Sequence, residues 1–211
     1  MKKNTLITLL IFFYTFDIFA NEPKFDQIIN GLDNPWSLTF VNNDELLITE
    51  KSGNLLLVNL SNKNIRKIKH NLNILEDGQG GLLEVLYYKD QVFVSYTEDQ
   101  KKGYSSTSVA KAEFNDLELN FQNIFRAEPP INSGYHFGSR LVIKDDFIYI
   151  TAGERGEGMI AQDPKKHPGS IIRIHLDGKI PKDNPKFIDK KDWLPEIYQI
   201  GVRNPQGMDF S

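Results

Sequence analysis

The chain has four histidines, and one of them, His136, lies in the stretch SGYHFGSR, close to a glycine and an arginine. An imidazole titrates near neutral pH, so it can accept the proton of an alcohol during catalysis. A histidine in such a stretch could equally be a solvent-exposed loop residue or part of the core. His136 is therefore a candidate general base, and the choice between these three interpretations depends on the residues around it.

Residue types exclude several other chemistries. The chain contains no cysteine, which excludes a thiol nucleophile, a thiolate metal site and disulfides. His70, His167 and His175 show no His-x-x-x-His or similar ligand spacing, so a histidine metal site is disfavoured. The stretch DGKIPKDNP lacks the acidic ligands and the final glutamate of an EF-hand. We interpret it as a loop that joins two repeat units.

A loose repeat of short apolar runs must position the candidate side chains. The first unit has runs at 37–40, 46–49 and 55–60, and further units begin at GGLLEVLYY, at FGSRLVIKDD and at PQGMDF. The runs are rich in Val, Ile, Leu, Tyr and Phe and are bounded by Asn, Asp, Gly and Lys, which is typical of strands and hairpins. Units of about 45 to 60 residues with three or four strands favour the blades of a β-propeller, with a β-sandwich as the alternative.

The composition is that of an ordinary globular protein, with 211 residues, 40% hydrophobic residues and a formal net charge of -3. Its basic residues are scattered, so we expect no nucleic-acid partner. Residues 1–20 are typical of a secretory signal peptide, with two lysines before the apolar run 6–16 and Ala20 at the cleavage site. We expect a periplasmic or secreted protein without stable membrane insertion, since the run is too short to span a bilayer; a membrane anchor is the alternative.

Seven stretches resemble, in order and approximate spacing, the soluble pyrroloquinoline quinone (PQQ)-dependent sugar dehydrogenases of the glucose/sorbosone dehydrogenase family. They are GLDNPWSLTF, LLITEKSGNLLLV, GQGGLLEV, YHFGSRLVI, YITAGERG, HPGSIIRIHLDGKIPKDNP and PEIYQIGVRNPQGMDF. The resemblance implies an all-β, six-bladed propeller, of which residues 21–211 would form three blades and the start of a fourth. We therefore expect the chain to be the N-terminal half of a longer protein.

The resemblance implies an enzyme that oxidises an aldose at C1 to the lactone, with hydride passing to PQQ and on to an electron acceptor that the sequence does not identify. His136 falls on the family's catalytic histidine, the general base. Gln79, in GQGG, matches a glutamine that binds the substrate. Glu154, in AGERG, stands where many relatives have an aspartate that contacts the sugar and helps to orient the base. The extra methylene of glutamate leaves the identity of the sugar open.

Cofactor binding is implied for Arg203, Asn204 and Gln206, in GVRNPQG. A guanidinium can bind the carboxylates and the quinone oxygens of PQQ and can stabilise the negative charge that develops there, so Arg203 would also serve catalysis. The resemblance also implies calcium, with ligands expected beyond residue 211.

Each assignment has a structural alternative. Gln79 could lie in a flexible turn, Glu154 could be a turn residue paired with Arg155, and Arg203 could lie in a turn that stops a strand. The whole chain could also be an inactive fragment, a non-catalytic propeller that binds a sugar or a protein, or a propeller lactonase with a metal-activated water.

Overall fold

The computed structural model describes residues 23–186 and 192–210, and its regular structure is almost entirely β. Within these two ranges the only helix is a short 3₁₀ helix at Gly158–Gln162. The described part of the chain has no helix with the length and hydropathy of a bilayer span. The predicted signal segment 1–20 lies outside the described residues.

Three sheets follow one another along the chain, each built from four antiparallel strands, and the first also includes a short fifth strand that pairs in parallel. The first blade consists of β1 (Pro35–Phe40), β2 (Glu45–Glu50), β3 (Leu55–Asn59) and β4 (Ile65–His70). The second consists of β5 (Leu82–Tyr88), β6 (Gln91–Asp99), β7 (Ser105–Glu113) and, after the short β8 (Glu118–Leu119), β9 (Gln122–Arg126). The third consists of β10 (Gly138–Lys144), β11 (Phe147–Ala152), β12 (Ser170–His175) and β13 (Ile197–Ile200). The strands β1, β5 and β10 contact one another in sequence, and β8 pairs with β4. The predicted all-β propeller is confirmed.

The core lies between neighbouring blades, because alternate residues of a strand face opposite sides of its sheet. Leu47 of the first blade packs with Val94 of the second, whereas Phe93 faces the other way and packs with Ile148 of the third. All four side chains are fully buried. The middle strands therefore contain continuous apolar runs, because both of their faces are covered.

A buried hydroxyl in the second strand of each blade ties that blade to the next. The three hydroxyls belong to Thr49, Ser95 and Thr151. Each accepts from a backbone N–H of its own first strand, at 3.1, 3.0 and 2.8 Å for Ser37, Glu84 and Arg140. Each donates to a carbonyl of the following unit, at 2.5, 2.6 and 2.8 Å for Leu83, Ser139 and Pro205. We call these groups the hydroxyl clasps.

The clasps occur where the first strand of each blade shifts register against the second. Such a shift interrupts the backbone ladder, and the hydroxyl pairs groups that the ladder leaves open. The third clasp binds Pro205, so the segment that starts there occupies the place of the next inner strand, as predicted for a fourth unit. Residues 203–210 nevertheless form no strand.

The interpretation of DGKIPKDNP as a loop between two blades is wrong. This stretch follows β12 and leads to β13, which pairs with β12 in the same sheet. It is thus a loop within the third blade. The guanidinium of Arg173 on β12 draws it back onto the sheet through Asp183, at 3.1 Å, and Asn184, at 3.1 Å. The outer strand β13 has two exposed residues among its four, so its short pattern did not identify it as a strand.

Candidate active site

Four candidate side chains lie at one end of the blades, and we call them the site cluster: Gln79, His136, Glu154 and Arg203. The first two precede β5 and β10, the inner strands of the second and third blades. The other two follow β11 and β13, which run antiparallel and end where β10 and β12 begin. The topology therefore gathers residues that are up to 124 positions apart, the separation between positions 79 and 203.

His136 and Glu154 form the centre of the site cluster, with 2.5 Å between Nδ1 and Oε1. Burial of Glu154 acts to raise its pKa, but the hydrogen bonds from His136 and from the backbone N–H of Gly158 outweigh it, and the net pKa is lowered. The carboxylate is therefore ionised at neutral pH and can only accept. A neutral His136 must then carry its proton on Nδ1, which leaves the lone pair on Nε2. That atom makes no hydrogen bond within residues 23–186 and 192–210.

Arg203 reaches the same carboxylate oxygen, with 3.7 Å between its Nε and Oε1 of Glu154. The Arg203 side chain is 80% exposed, whereas that of Glu154 is 5% exposed. The two residues are also joined through the backbone, since Glu154 N donates to Arg203 O at 2.8 Å. An imidazole, a carboxylate and a guanidinium therefore meet at one point, with the guanidinium open to solvent.

His136 has an unusual backbone conformation, with a φ of 51°. The left-handed region costs an L-residue roughly 1–2 kcal/mol, so neighbouring groups must hold it. Gln79 Oε1 accepts from His136 N at 2.9 Å, and Arg155 N donates to His136 O at 3.3 Å. Gly153 allows the close approach of β11, because a Cβ there would lie 2.1 Å from His136 O.

Gln79 is fixed from both sides. Its backbone N–H donates to Gly134 O at 2.7 Å, while its side-chain oxygen holds His136. A Cβ on the preceding Gly78, whose φ is +54°, would lie 2.3 Å from Gly134 O, so a glycine is required for the two loops to touch. The Gln79 side chain is exposed, and its amide nitrogen donates to no group in the described ranges. That amide is free to face a ligand.

Asn204 and Gln206 belong to the same segment as Arg203 but are engaged differently. Oδ1 of Asn204 accepts from Gly138 N at 3.0 Å, so only its NH₂ group remains for a ligand. The backbone carbonyl of Gln206 accepts from Arg140 Nε at 2.8 Å, and its side chain is exposed. Both residues thus anchor the segment to β10, and among the described residues their side chains form no hydrogen bond to the four side chains of the site cluster.

The role of Arg155 was not predicted from the sequence, where the residue is considered only as an ion-pair partner for Glu154. The Arg155 side chain turns away from Glu154 and is buried beneath the loop that carries His136. No sequence signal separates the two possibilities, because an arginine in a glycine-rich turn is usually exposed. The hydroxyl clasps, by contrast, could have been found, since a Ser or Thr directly follows three apolar residues in the second strand of every unit.

The other histidines lie outside the site cluster. His70 Nε2 contacts Gly53 O at 2.8 Å, His167 Nε2 contacts Glu196 Oε1 at 2.9 Å, and His175 packs against Phe147. Across the two described ranges, no three His, Asp or Glu residues are grouped so that they could hold a metal ion.

The fold and the site cluster together define a β-propeller with a histidine–carboxylate pair at one end of its blades. The glucose / sorbosone dehydrogenase family profile matches residues 32–211, and the chain belongs to this family. It is 34% identical to the aldose sugar dehydrogenase YliI of Escherichia coli strain K12 over 187 residues, which cover 84% of this chain and 50% of that protein. It is 29% identical to the quinoprotein glucose dehydrogenase B of Acinetobacter calcoaceticus over 234 residues, covering 91% and 47%.

Solved structures show the same likeness. The crystal structure of a glucose dehydrogenase superposes with a TM-score of 0.81 and 33% identity, covering 86% of this chain and 56% of that one. The soluble aldose sugar dehydrogenase of Escherichia coli, in the apo form, gives a TM-score of 0.79 and 31% identity, covering 85% and 54%. The chain spans about half the length of the curated relatives it matches.

Proposed function

We propose that the protein is a PQQ-dependent oxidoreductase that oxidises the C1 hydroxyl of aldose sugars to the lactone. One observation carries this proposal: His136 and Arg203 contact the same oxygen of Glu154, at 2.5 and 3.7 Å, although they are far apart in the chain. The names of two relatives, an aldose sugar dehydrogenase and a quinoprotein glucose dehydrogenase, support the reaction class.

His136 is the proposed general base. Its Nε2 carries the lone pair, because Nδ1–H is held by the ionised Glu154. The C1–H bond of the sugar is a poor hydride source until the C1 hydroxyl loses its proton. Nε2 takes up that proton as the C1–H bond breaks and the hydride leaves for the two-electron acceptor. Glu154 stabilises the imidazolium that forms, since the two groups are already in hydrogen-bond contact. General-base catalysis of this kind contributes about 10²- to 10⁴-fold in rate.

Gln79 and Arg203 are the proposed substrate-binding groups. The amide nitrogen of Gln79 lies on the residue that holds His136 N, so a sugar oxygen bound there is placed next to the base. The exposed guanidinium of Arg203 can donate to the C1 oxygen and stabilise the charge that grows on it. Glu154, in place of the shorter aspartate, brings the carboxylate within 2.5 Å of Nδ1 and leaves the sugar that fits best to be measured.

The residues present fit PQQ at one side of the site. Arg203 offers an exposed guanidinium to its carboxylates or quinone oxygens, and Asn204 offers the NH₂ group that Gly138 leaves unused. Gln206, whose side chain is exposed, would extend the same contact surface. When bound, PQQ supplies the two-electron acceptor that this oxidation needs. Calcium is the second proposed cofactor, although within residues 23–186 and 192–210 no three His, Asp or Glu residues are grouped to hold it.

The direct test is reconstitution of the full-length protein with PQQ and calcium, followed by dye reduction in the presence of a panel of aldoses. We expect turnover that requires both PQQ and an aldose. Binding of a sugar without turnover would instead support a non-catalytic binding propeller, and PQQ-independent, metal-dependent lactone hydrolysis would support a lactonase.

We also propose that the protein is exported, to the periplasm or the medium, through the segment 1–20. The support is the order of charged, apolar and small residues in that segment. Sequencing the N-terminus of the mature protein after cell fractionation tests this. A cytoplasmic protein that keeps residue 1 would overturn it.

A further inference from the structure

Arg155 is buried directly beneath the loop that carries His136. Only 3% of the residue is exposed. Its Nε donates to Tyr135 O at 3.0 Å and its Nη2 donates to Ser133 O. On the other side, Nη1 and Nη2 donate to the backbone oxygen and the hydroxyl of Ser105, at 2.9 and 3.0 Å. The side chain therefore joins the start of β7 in the second blade to the loop before β10 in the third.

The guanidinium is held without a carboxylate partner. Within residues 23–186 and 192–210 it forms no ion pair, and its planar face lies 3.7 Å from the centroid of the Phe137 ring. Burial lowers the pKa of Arg155 to about 10, while the charge of Asp77 acts in the opposite direction. A buried cation whose hydrogen bonds go only to carbonyls and a hydroxyl is costly to place, even with the charge of Asp77 in its favour, so its contacts must matter to the local structure.

These contacts fix three carbonyls around the base. The side chain holds Ser133 O and Tyr135 O, and the backbone N–H of Arg155 donates to His136 O at 3.3 Å. His136 needs such restraint because its φ is 51°. Without it, the residue would relax toward the more favourable regions with negative φ, which would turn the imidazole away from Glu154.

We propose that Arg155 is the positioning residue of the site: its buried guanidinium holds the 133–137 loop so that His136 Nδ1 stays on Glu154 and Nε2 faces the substrate. The catalytic consequence rests on the proposed function, whereas the effect on the imidazole does not. Arg155 does not touch the reacting atoms itself.

The test compares Arg155→Met with a matched control, Arg173→Met. Arg173 is also buried, at 7% exposed, and stacks 3.9 Å from the centroid of Phe147, but its hydrogen bonds go to Asp183 and Asn184 at the far side of the third blade. Both variants lose a buried, ring-stacked guanidinium, so both should lower the unfolding midpoint. Only Arg155→Met should change the site.

Two readouts are measured on the full-length protein. In apo protein, the His136 imidazole signals, assigned with His136→Gln, are followed by NMR through a pH titration. In protein loaded with PQQ and calcium, kcat and KM for an aldose are measured per folded molecule. We expect Arg155→Met to shift the His136 signals and titration curve and to lower kcat roughly 10- to 10²-fold with little change in KM, since misplacement of a catalytic group by about 1 Å can cost 10²-fold. Arg173→Met should match the wild type in both readouts.

Arg155→Lys serves as the conservative variant and as the fallback if Arg155→Met does not fold. A lysine keeps the charge and can bind one carbonyl, but it cannot join Ser105 to the loop, so its His136 signals should lie between those of the wild type and Arg155→Met, and its kcat should be partly restored. Unchanged His136 signals in Arg155→Met, or in Arg155→Lys if only that variant folds, would overturn the proposal. Equal losses of kcat in Arg155→Met and Arg173→Met would also overturn it. If the wild type has no aldose activity, the proposed function fails, and the NMR comparison alone decides the positioning role.

Discussion

Two histidine–glutamate pairs occur in the described part of the chain, and they differ in their surroundings. His136 and Glu154 pair at the open end of the blades, at 2.5 Å, while His167 and Glu196 pair inside the third blade, at 2.9 Å. The carboxylates are alike in that the net pKa of each is lowered. Burial acts to raise the pKa of Glu154 but is outweighed by hydrogen bonds that include the one from His136, and for Glu196 the hydrogen bond from His167 is the largest effect and burial opposes it. The pairing itself therefore does not distinguish a catalytic group from a structural one.

The second ring nitrogen makes the difference. Nδ1 of His167 accepts from Glu128 N at 2.8 Å, and the ring packs edge-on against Phe125 at 5.1 Å, so both nitrogens are used and the side chain is 7% exposed. Nε2 of His136 is open, and its side chain is 17% exposed. A histidine–carboxylate pair can act on a substrate only where one nitrogen is left for it.

The largest expected effect is on turnover. His136→Gln removes the open nitrogen with its basicity, so kcat for an aldose should fall by about 10²- to 10⁴-fold while PQQ affinity stays nearly the same. The measurement is steady-state dye reduction together with a PQQ titration. His175→Gln is the matched control, because His175 lies outside the site cluster and packs on Phe147. Wild-type turnover in His136→Gln would remove this residue from the mechanism.

Glu154→Gln should have the next largest effect. The amide keeps the shape of the side chain but not its charge, so the imidazolium that forms during reaction is no longer stabilised. A loss on the order of 10²-fold in kcat is expected, as for other charge-stabilising groups in active sites. Glu154→Asp keeps the charge with a shorter reach and should retain more activity for some aldoses than for others. If the glutamine variant matched the wild type in kcat, the carboxylate would have no catalytic part.

His167→Gln should affect stability rather than catalysis. The change disturbs the bonds to Glu128 N and to the Glu196 carboxylate, and unpaired buried polar groups cost about 1–3 kcal/mol each. Urea denaturation measures the loss in the free energy of unfolding. The kcat of the folded variant should equal that of the wild type; a selective loss of kcat would mean that the two pairs are not functionally separate.

The smallest expected effect concerns acid stability. The pKa of Glu196 is lowered in the folded state by the hydrogen bond from His167. The folded protein therefore binds this proton less readily than the unfolded chain, and the contribution is present above pH 4.5, the ordinary value, and is lost as pH falls through the folded pKa. Unfolding free energies measured from pH 6 to pH 3 should fall less steeply for Glu196→Gln than for the wild type. An equal slope would contradict the assignment.

Much of this architecture could be predicted from the sequence. The middle strands were identified because both of their faces are covered, which gives continuous apolar runs such as LLLV and VFV. The outer strands β9 and β13 were not identified, since they have only five and four residues, of which three and two are exposed. The loop before β13 was assigned to the wrong place for the same reason, because β13 was not recognised as a strand of the third blade.

The candidate site shows a similar division. His136, Glu154 and Arg203 were placed by the motifs that surround them, and the structure brings them together. The direction of the Arg155 side chain could not be predicted, because it depends on Ser105, which is 50 residues away in the chain and in another blade. The fixed Gln79 loop likewise depends on Gly134, which only the folded chain brings close. Local motifs therefore identify the candidate site residues, whereas the direction of a side chain such as that of Arg155 depends on contacts between blades.

The hydroxyl clasps have a consequence for biosynthesis. The carbonyl acceptor of each clasp is synthesised 34, 44 or 54 residues after the hydroxyl, so each new blade lacks this hydrogen bond until the next unit has been made. Thr151, for example, finds its acceptor only once Pro205 has been made. Assembly is thereby directed from the amino terminus onward, with every new sheet completing the one made before it.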